Sequence, residues 1–170
     1  MESVLDRVIK QNTENVNLLK TKDYNIFSVL QIQSKEVLIC RMIADLLNPR
    51  GQHGAGAEYL KIFLRDCLGM EKMDTKLADQ AIVTAEYAID DERRIDIVIE
   101  IGSYFLPIEV KIYAADQKSQ CFDYYQYAKR RDAQAKVYYL TLDGHRPGKD
   151  STSSGNRSVT EEDIVCLSFR

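Results

Sequence analysis

Three side chains in two neighbouring segments set the chemistry that this sequence points to. RRIDIVIEI (93–101) carries Asp96, and FLPIEVKIY (105–113) carries Glu109 and Lys111. Both segments have the twofold alternation of a strand, in which successive side chains fall on opposite faces. Ile108, Val110 and Ile112 then share one face, leaving Glu109, Lys111 and Tyr113 on the other. In the earlier segment Ile95, Ile97, Ile99 and Ile101 share a face, leaving Asp96, Val98 and Glu100 opposite. If the two strands pair, side chains about 5 Å apart across the pair bring Asp96 to Glu109 and Lys111. Two carboxylates with room for water and phosphate oxygens suit Mg²⁺, which keeps several waters and uses one or two protein carboxylates. A cation so held polarises phosphorus and lowers the pKa of bound water, while the lysine orients that water or stabilises the developing charge. The reaction class is hydrolysis of a phosphodiester, with Mg²⁺ as the expected cofactor and Mn²⁺ as a substitute.

The tripeptide pattern by itself carries little weight. An acid two residues before a lysine occurs as Asp74-Thr-Lys76, Glu109-Val-Lys111 and Asp116-Gln-Lys118. The middle one alone lies in an apolar strand that follows another acid-bearing strand. The stretch from Asp116 to about Ala133 has helical spacing and places Gln117, Gln120, Cys121, Tyr124 and Ala128 on one face. Because it leaves the strand just after Lys111, Gln120 and Tyr124, one turn apart, lie within reach of the acids.

Asp96, Glu109-Val-Lys111 and Gln120-Cys-Phe-Asp-Tyr124, in that order, resemble the PD-(D/E)XK nuclease superfamily with the Q-x-x-x-Y element of its RecB-like branch. The earlier segment KEVLICRMIADLLNPRGQHGAGAEYLKIFL is similar to the start of a bacterial family of this kind, in which a helix carrying a glutamate leads into L-L-D-P and an H-G-Q-G turn. The resemblance covers roughly residues 25 to 142. It implies Asp96 and Glu109 as metal ligands, Lys111 as the catalytic lysine, Glu36 as the helix acid, and Gln120 with Tyr124 as a supporting pair. It also implies a restriction-endonuclease-like α/β fold: an α-β-β-β-α-β core, a mixed central sheet flanked by helices, and extra N-terminal helices. The expected partner is nucleic acid, DNA first; many such nucleases work as homodimers, and the sequence shows no dimer seam and leaves the oligomeric state open. The chain departs from the bacterial pattern at Asn48, which replaces the aspartate of L-L-D-P, and at Ala55, which replaces glutamine in H-G-Q-G. A third departure is Asp45, where an aromatic is common.

The elements that must position these residues follow from periodicity. Residues 2–20 space Val4, Leu5, Val8, Ile9, Val16 and Leu19 as an amphipathic helix. A second helix begins with Ser34 as its N-cap and stops before Pro49, since the residue before a proline is pushed out of the helical region. Glu36 lies one turn before Ile39 and Cys40, on the apolar stripe rather than the wet face. RGQHGAGA is a turn in which His53 reads as a turn or capping residue, and AEYLKIFLRDCL is a third helix. From residue 81 the period changes to two, giving a meander of strands over 81–89, 93–101 and 105–113. The helix from 116 then crosses over to AKVYYLTL, and DIVCLSF forms a last strand.

The expected organisation is one domain over 1–170: a helical part over 1–70, a catalytic core over 81–142, and a flexible polar loop over 143–163. The abrupt end after the last strand is what a piece of a longer chain would show. At 45% hydrophobic and 29% charged residues the composition is that of a soluble globular chain. No apolar run is long enough for a membrane span, and MESVLDRVIK lacks the apolar region of a signal peptide. Cys40, Cys67, Cys121 and Cys166 are widely spaced, as in a reduced cytoplasmic protein. The net charge of −3 gives no general attraction to nucleic acid. It therefore keeps a second reading open: a nuclease-like domain that binds nucleic acid or a partner protein without cutting.

Overall fold

The change of period at residue 81 marks where helices give way to sheet. A computed structural model of the chain describes residue 29, residues 35–71 and residues 73–169. The expected helix over 2–20 and the Ser34 cap lie outside them.

Helix α1 (Glu36–Leu47) begins without a side-chain cap, and its chain leaves the helix at Asn48, in extended conformation before Pro49. It buries Ile39, Cys40, Ala44 and Leu47. Leu46 is exposed, whereas Ala44 faces inward. Helix α2 (Glu58–Ile62) continues into a π-helical turn over Phe63–Cys67, and a short α3 (Thr75–Ala78) precedes the sheet.

Strands β1 (Ile82–Ala88), β2 (Arg94–Ile101) and β3 (Tyr104–Lys111) form the expected antiparallel meander. Helix α4 (Gln120–Arg131) then carries the chain to β4 (Val137–Thr141), which lies parallel to β3. After an α5 turn (Lys149–Thr152) and a small hairpin of β5 (Ser153–Ser154) and β6 (Arg157–Ser158), β7 (Ile164–Ser168) adds parallel to β4. The result is a mixed five-stranded sheet of order β1-β2-β3-β4-β7 with helices on both faces.

The two faces are separate cores. Cys40, Ala44 and Leu47 of α1 and Leu60 and Leu64 of the second helical segment cover Ile97, Ile99, Leu106, Ile108 and Val110. On the other face Cys121, Phe122, Tyr124 and Ala128 of α4 cover Ile95, Val98, Phe105, Val137 and Tyr139. Burial on both faces explains why β3 has no exposed residue after Tyr104. Ile95 departs from the expected alternation, because it packs in the α4 core while Ile97, Ile99 and Ile101 pack in the other. On β1, the residue between the partners of Ile95 and Ile97 is Glu86, which has a left-handed φ of 54°. A non-glycine residue rarely adopts that conformation, and here Arg41 of α1 grips its carboxylate through Nε and Nη2. The local distortion thus sits opposite Asp96.

The segment 143–163, expected as a flexible polar loop, carries α5, the β5–β6 hairpin and a 3₁₀ turn (Glu161–Asp163), and its Ser151 is wholly buried. Among the described residues no helix is long and apolar enough to cross a membrane.

Candidate active site

Ile97 pairs with Ile108, and the β2–β3 ladder stops there. The same register, carried one residue further, sets Asp96 opposite Glu109, as the sequence pattern implies. Backbone pairing is replaced at this point by a side chain: Asp96 Oδ2 accepts the Val110 N–H at 2.8 Å. Asp96 is therefore fixed to the strand that bears the other acid and the lysine.

Glu109 is 1% exposed. Its Oε1 accepts from Lys111 Nζ at 2.6 Å and from Gln120 Nε2 at 2.7 Å. Its Oε2 is buried and has no hydrogen-bond partner among the described residues. Burial and the Asp96 charge together push the Glu109 carboxyl up to about 8, against the pull of Lys111. Burial also raises Asp96, although the Val110 N–H and Lys111 oppose it. Two carboxyls in contact in a dry site resist carrying two negative charges. Lys111 stays an ammonium, since the charges of Glu109, Asp96 and Glu36 outweigh the desolvation that would lower its pKa.

Helix α4 supplies the next contacts. The Gln120 amide reaches both Glu109 and the Tyr124 hydroxyl, 3.1 Å away, and that hydroxyl donates to the Arg94 carbonyl on β2. Gln120 Oε1 in turn accepts the Gln117 N–H at 3.3 Å. The helix starts at Gln120 rather than at 116, because Ser119 adopts a left-handed φ of 58°. Gln117 consequently lies in the connector, where its side-chain oxygen accepts from Arg93 Nη1 at 2.8 Å.

That connector, 112–119, is tied down by six residues from elsewhere in the chain. Glu36 Oε1 accepts three successive backbone N–H groups, from Ile112 at 2.7 Å and from Tyr113 and Ala114 at 2.9 Å. Burial would raise its pKa, but the three N–H dipoles and the Lys111 charge bring it below the ordinary value. Asp116 takes the Tyr139 hydroxyl at 2.8 Å and the Gly148 N–H at 2.7 Å. Arg93 reaches Asp123 and the Lys118 carbonyl in addition to Gln117. Ser119 donates its N–H to the Asp150 carbonyl and its hydroxyl to the Ser153 carbonyl. The polar 148–153 segment thus supports the start of α4, where Ser151 Oγ also accepts the Cys121 N–H.

All six residues singled out from the sequence, Glu36, Asp96, Glu109, Lys111, Gln120 and Tyr124, surround the end of β3. Glu36 differs from the rest in that its carboxylate caps a turn. Among the described residues, no three His, Cys, Asp or Glu side chains gather as a metal-holding set. The centre is a pair of carboxylates. Arg93, Asp116 and Ser151 belong to its support and carried no periodic signal. The other two acid-x-lysine tripeptides are structural, for Asp74 caps α3 by accepting the Lys76 N–H and Asp116 anchors the connector. His53 locks the glycine turn: Nδ1 accepts the Ala55 N–H and Nε2 faces the Asn48 carbonyl. Gly51 is required there, because a Cβ would lie 2.2 Å from the Asp45 carbonyl and 2.7 Å from the His53 ring.

A family model described as the PD-(D/E)XK nuclease superfamily matches residues 24–166. No curated protein and no solved structure matches the chain.

Proposed function

The chain belongs to the PD-(D/E)XK nuclease superfamily, and on that premise we propose that it is a Mg²⁺-dependent nuclease that hydrolyses phosphodiester bonds of DNA. The observation that carries this reading is the orphaned Glu109 Oε2, buried beside Asp96 while the other Glu109 oxygen is occupied by Lys111 and Gln120. Once Glu109 is ionised, Oε2 is a buried acceptor without a donor, which is costly, and two acids that resist joint ionisation are stabilised by a shared cation. The donor set therefore fits a divalent metal, and members of this superfamily generally use one. Mg²⁺ suits a centre with only two carboxylates because water and substrate phosphate complete its shell. Asp96 and Glu109 would hold it, and when bound it would supply Lewis acidity and a more acidic water.

The chain's own residues do the rest. Lys111 keeps a positive charge at the mouth of the pair, where it orients the attacking water and offsets charge developing on the phosphate. Gln120 holds the Glu109 carboxylate so that Oε2 stays directed away from Lys111, and Tyr124 anchors Gln120 to β2. Glu36 fixes the backbone just beyond Lys111. Fixation of this kind favours catalysis, since the charges need no rearrangement as the reaction proceeds.

A cleavage assay on circular and linear DNA tests the reading, with Mg²⁺, Mn²⁺ or EDTA and with wild type beside Lys111→Ala. Cutting that needs the metal and is lost in the variant is expected. DNA binding without product under either metal would replace the nuclease with the non-cutting module.

A further inference from the structure

We propose that Tyr113 is a stacking platform for an unpaired base next to the bond that is cut, so that the preferred DNA substrate has a single-stranded nucleotide at the site. The inference rests on the nuclease reading above and names the substrate class for it.

Tyr113 is 68% exposed, and among the described residues its ring and hydroxyl have no hydrogen-bond or ring partner. An exposed tyrosine is ordinary in itself. Its surroundings are not. It stands two residues after Lys111, within about 7 Å along the chain. Its backbone is held by one carboxylate oxygen that also binds the N–H groups on both sides of it. A free aromatic ring on a fixed backbone loses little conformational freedom when a flat ligand covers it.

Other exposed aromatic side chains are placed differently. Tyr104 is at the opposite end of β3, and Tyr59 is engaged edge-on by His53. Phe169 follows β7, two strands from β3 and so about 10 Å across the sheet. Bases in a duplex are stacked on each other and offer no face to such a ring, whereas unpaired bases stack readily on aromatic side chains. The carboxylate pair and Lys111 address the phosphate, which carries no base information. Tyr113 supplies a contact that distinguishes unpaired from paired DNA.

The protein contains no tryptophan, so Tyr113→Trp places a single reporter at this position. Combined with Lys111→Ala to prevent cutting, it is titrated in Mg²⁺ with a single strand, the same strand carrying abasic nucleotides, and a blunt duplex. Quenching by the base-bearing strand, and little by the other two, is expected. In parallel, Tyr113→Ala weakens single-strand binding about tenfold and leaves duplex binding unchanged, while Tyr113→Phe retains wild-type affinity. Unchanged single-strand affinity in Tyr113→Ala, or equal losses for both DNA forms, overturns the stacking role while the nuclease reading stands on wild-type cleavage. A wild type that neither binds nor cuts any DNA overturns both.

Discussion

Gln120 Nε2 donates to Glu109 Oε1 at 2.7 Å, tying the first residue of α4 to the buried acid of β3. Removing it leaves Glu109 Oε1 with Lys111 alone and frees the carboxylate to turn. Gln120→Ala is expected to lower cleavage about 10- to 100-fold, the usual effect of losing a residue that orients a metal ligand. A rise in the Mg²⁺ concentration for half-maximal cleavage is expected with it. Unaltered Mg²⁺ dependence would show that Glu109 needs no such support.

Glu36 offers a stability test that does not depend on activity. Glu36→Ala leaves three backbone N–H groups without their acceptor, and a cost of about 1–3 kcal/mol in urea unfolding is expected. The charge contributes as well. Because the folded pKa lies below the ordinary 4.5, the ionised form is favoured by folding; its contribution is present above pH 4.5 and is lost as pH falls through the lowered value. The stability gap between wild type and Glu36→Gln should therefore shrink on acidification. A gap that stays constant down to pH 3 would contradict this.

Arg93 bonds Asp123, Gln117 and the Lys118 carbonyl in three directions, which a lysine ammonium does not reproduce. Arg93→Lys is expected to keep the fold, with unfolding within roughly 1 kcal/mol of wild type, yet to reduce kcat by loosening the turn that holds Gln120. Loss of DNA affinity with kcat intact would instead make Arg93 a phosphate contact.

Ser151 provides the same kind of check on the 148–153 segment. Ser151→Ala strands the Cys121 N–H at the start of α4 and should cost about 1–3 kcal/mol. A neutral substitution would mean that the Cys121 N–H needs no protein acceptor and that the helix start is held by its other contacts, those of Ser119 and Gln120.

The order of elements and the acid pair were legible because both depend on periodicity. Twofold alternation in 93–101 and 105–113 was sufficient to set Asp96 against Glu109 and Lys111, and the observed Ile97–Ile108 register agrees. Glu36 was noticeable because a glutamate stood on an apolar stripe. What it binds was not, since its partners are backbone groups 76 to 78 residues away. The helix start was misplaced by four residues because Ser119 takes a left-handed conformation without being glycine. The segment 143–163 looked irregular for a related reason: its order comes from contacts with Asp116, Ser119 and Cys121 in another part of the chain. Ile95 escaped the pattern because distortion at Glu86 interrupts the alternation of its neighbour strand.

The most direct test of the metal centre is Mg²⁺-dependent DNA cleavage by Glu109→Gln beside wild type. The amide keeps the size of the acid, and its oxygen still accepts from Lys111 and Gln120, so thermal unfolding should be no worse than wild type. The group in place of Oε2 no longer binds a cation, and cleavage should fall by more than about a hundredfold. A folded variant that cuts at the wild-type rate would contradict the assignment of Glu109 and, with it, the proposed two-carboxylate centre.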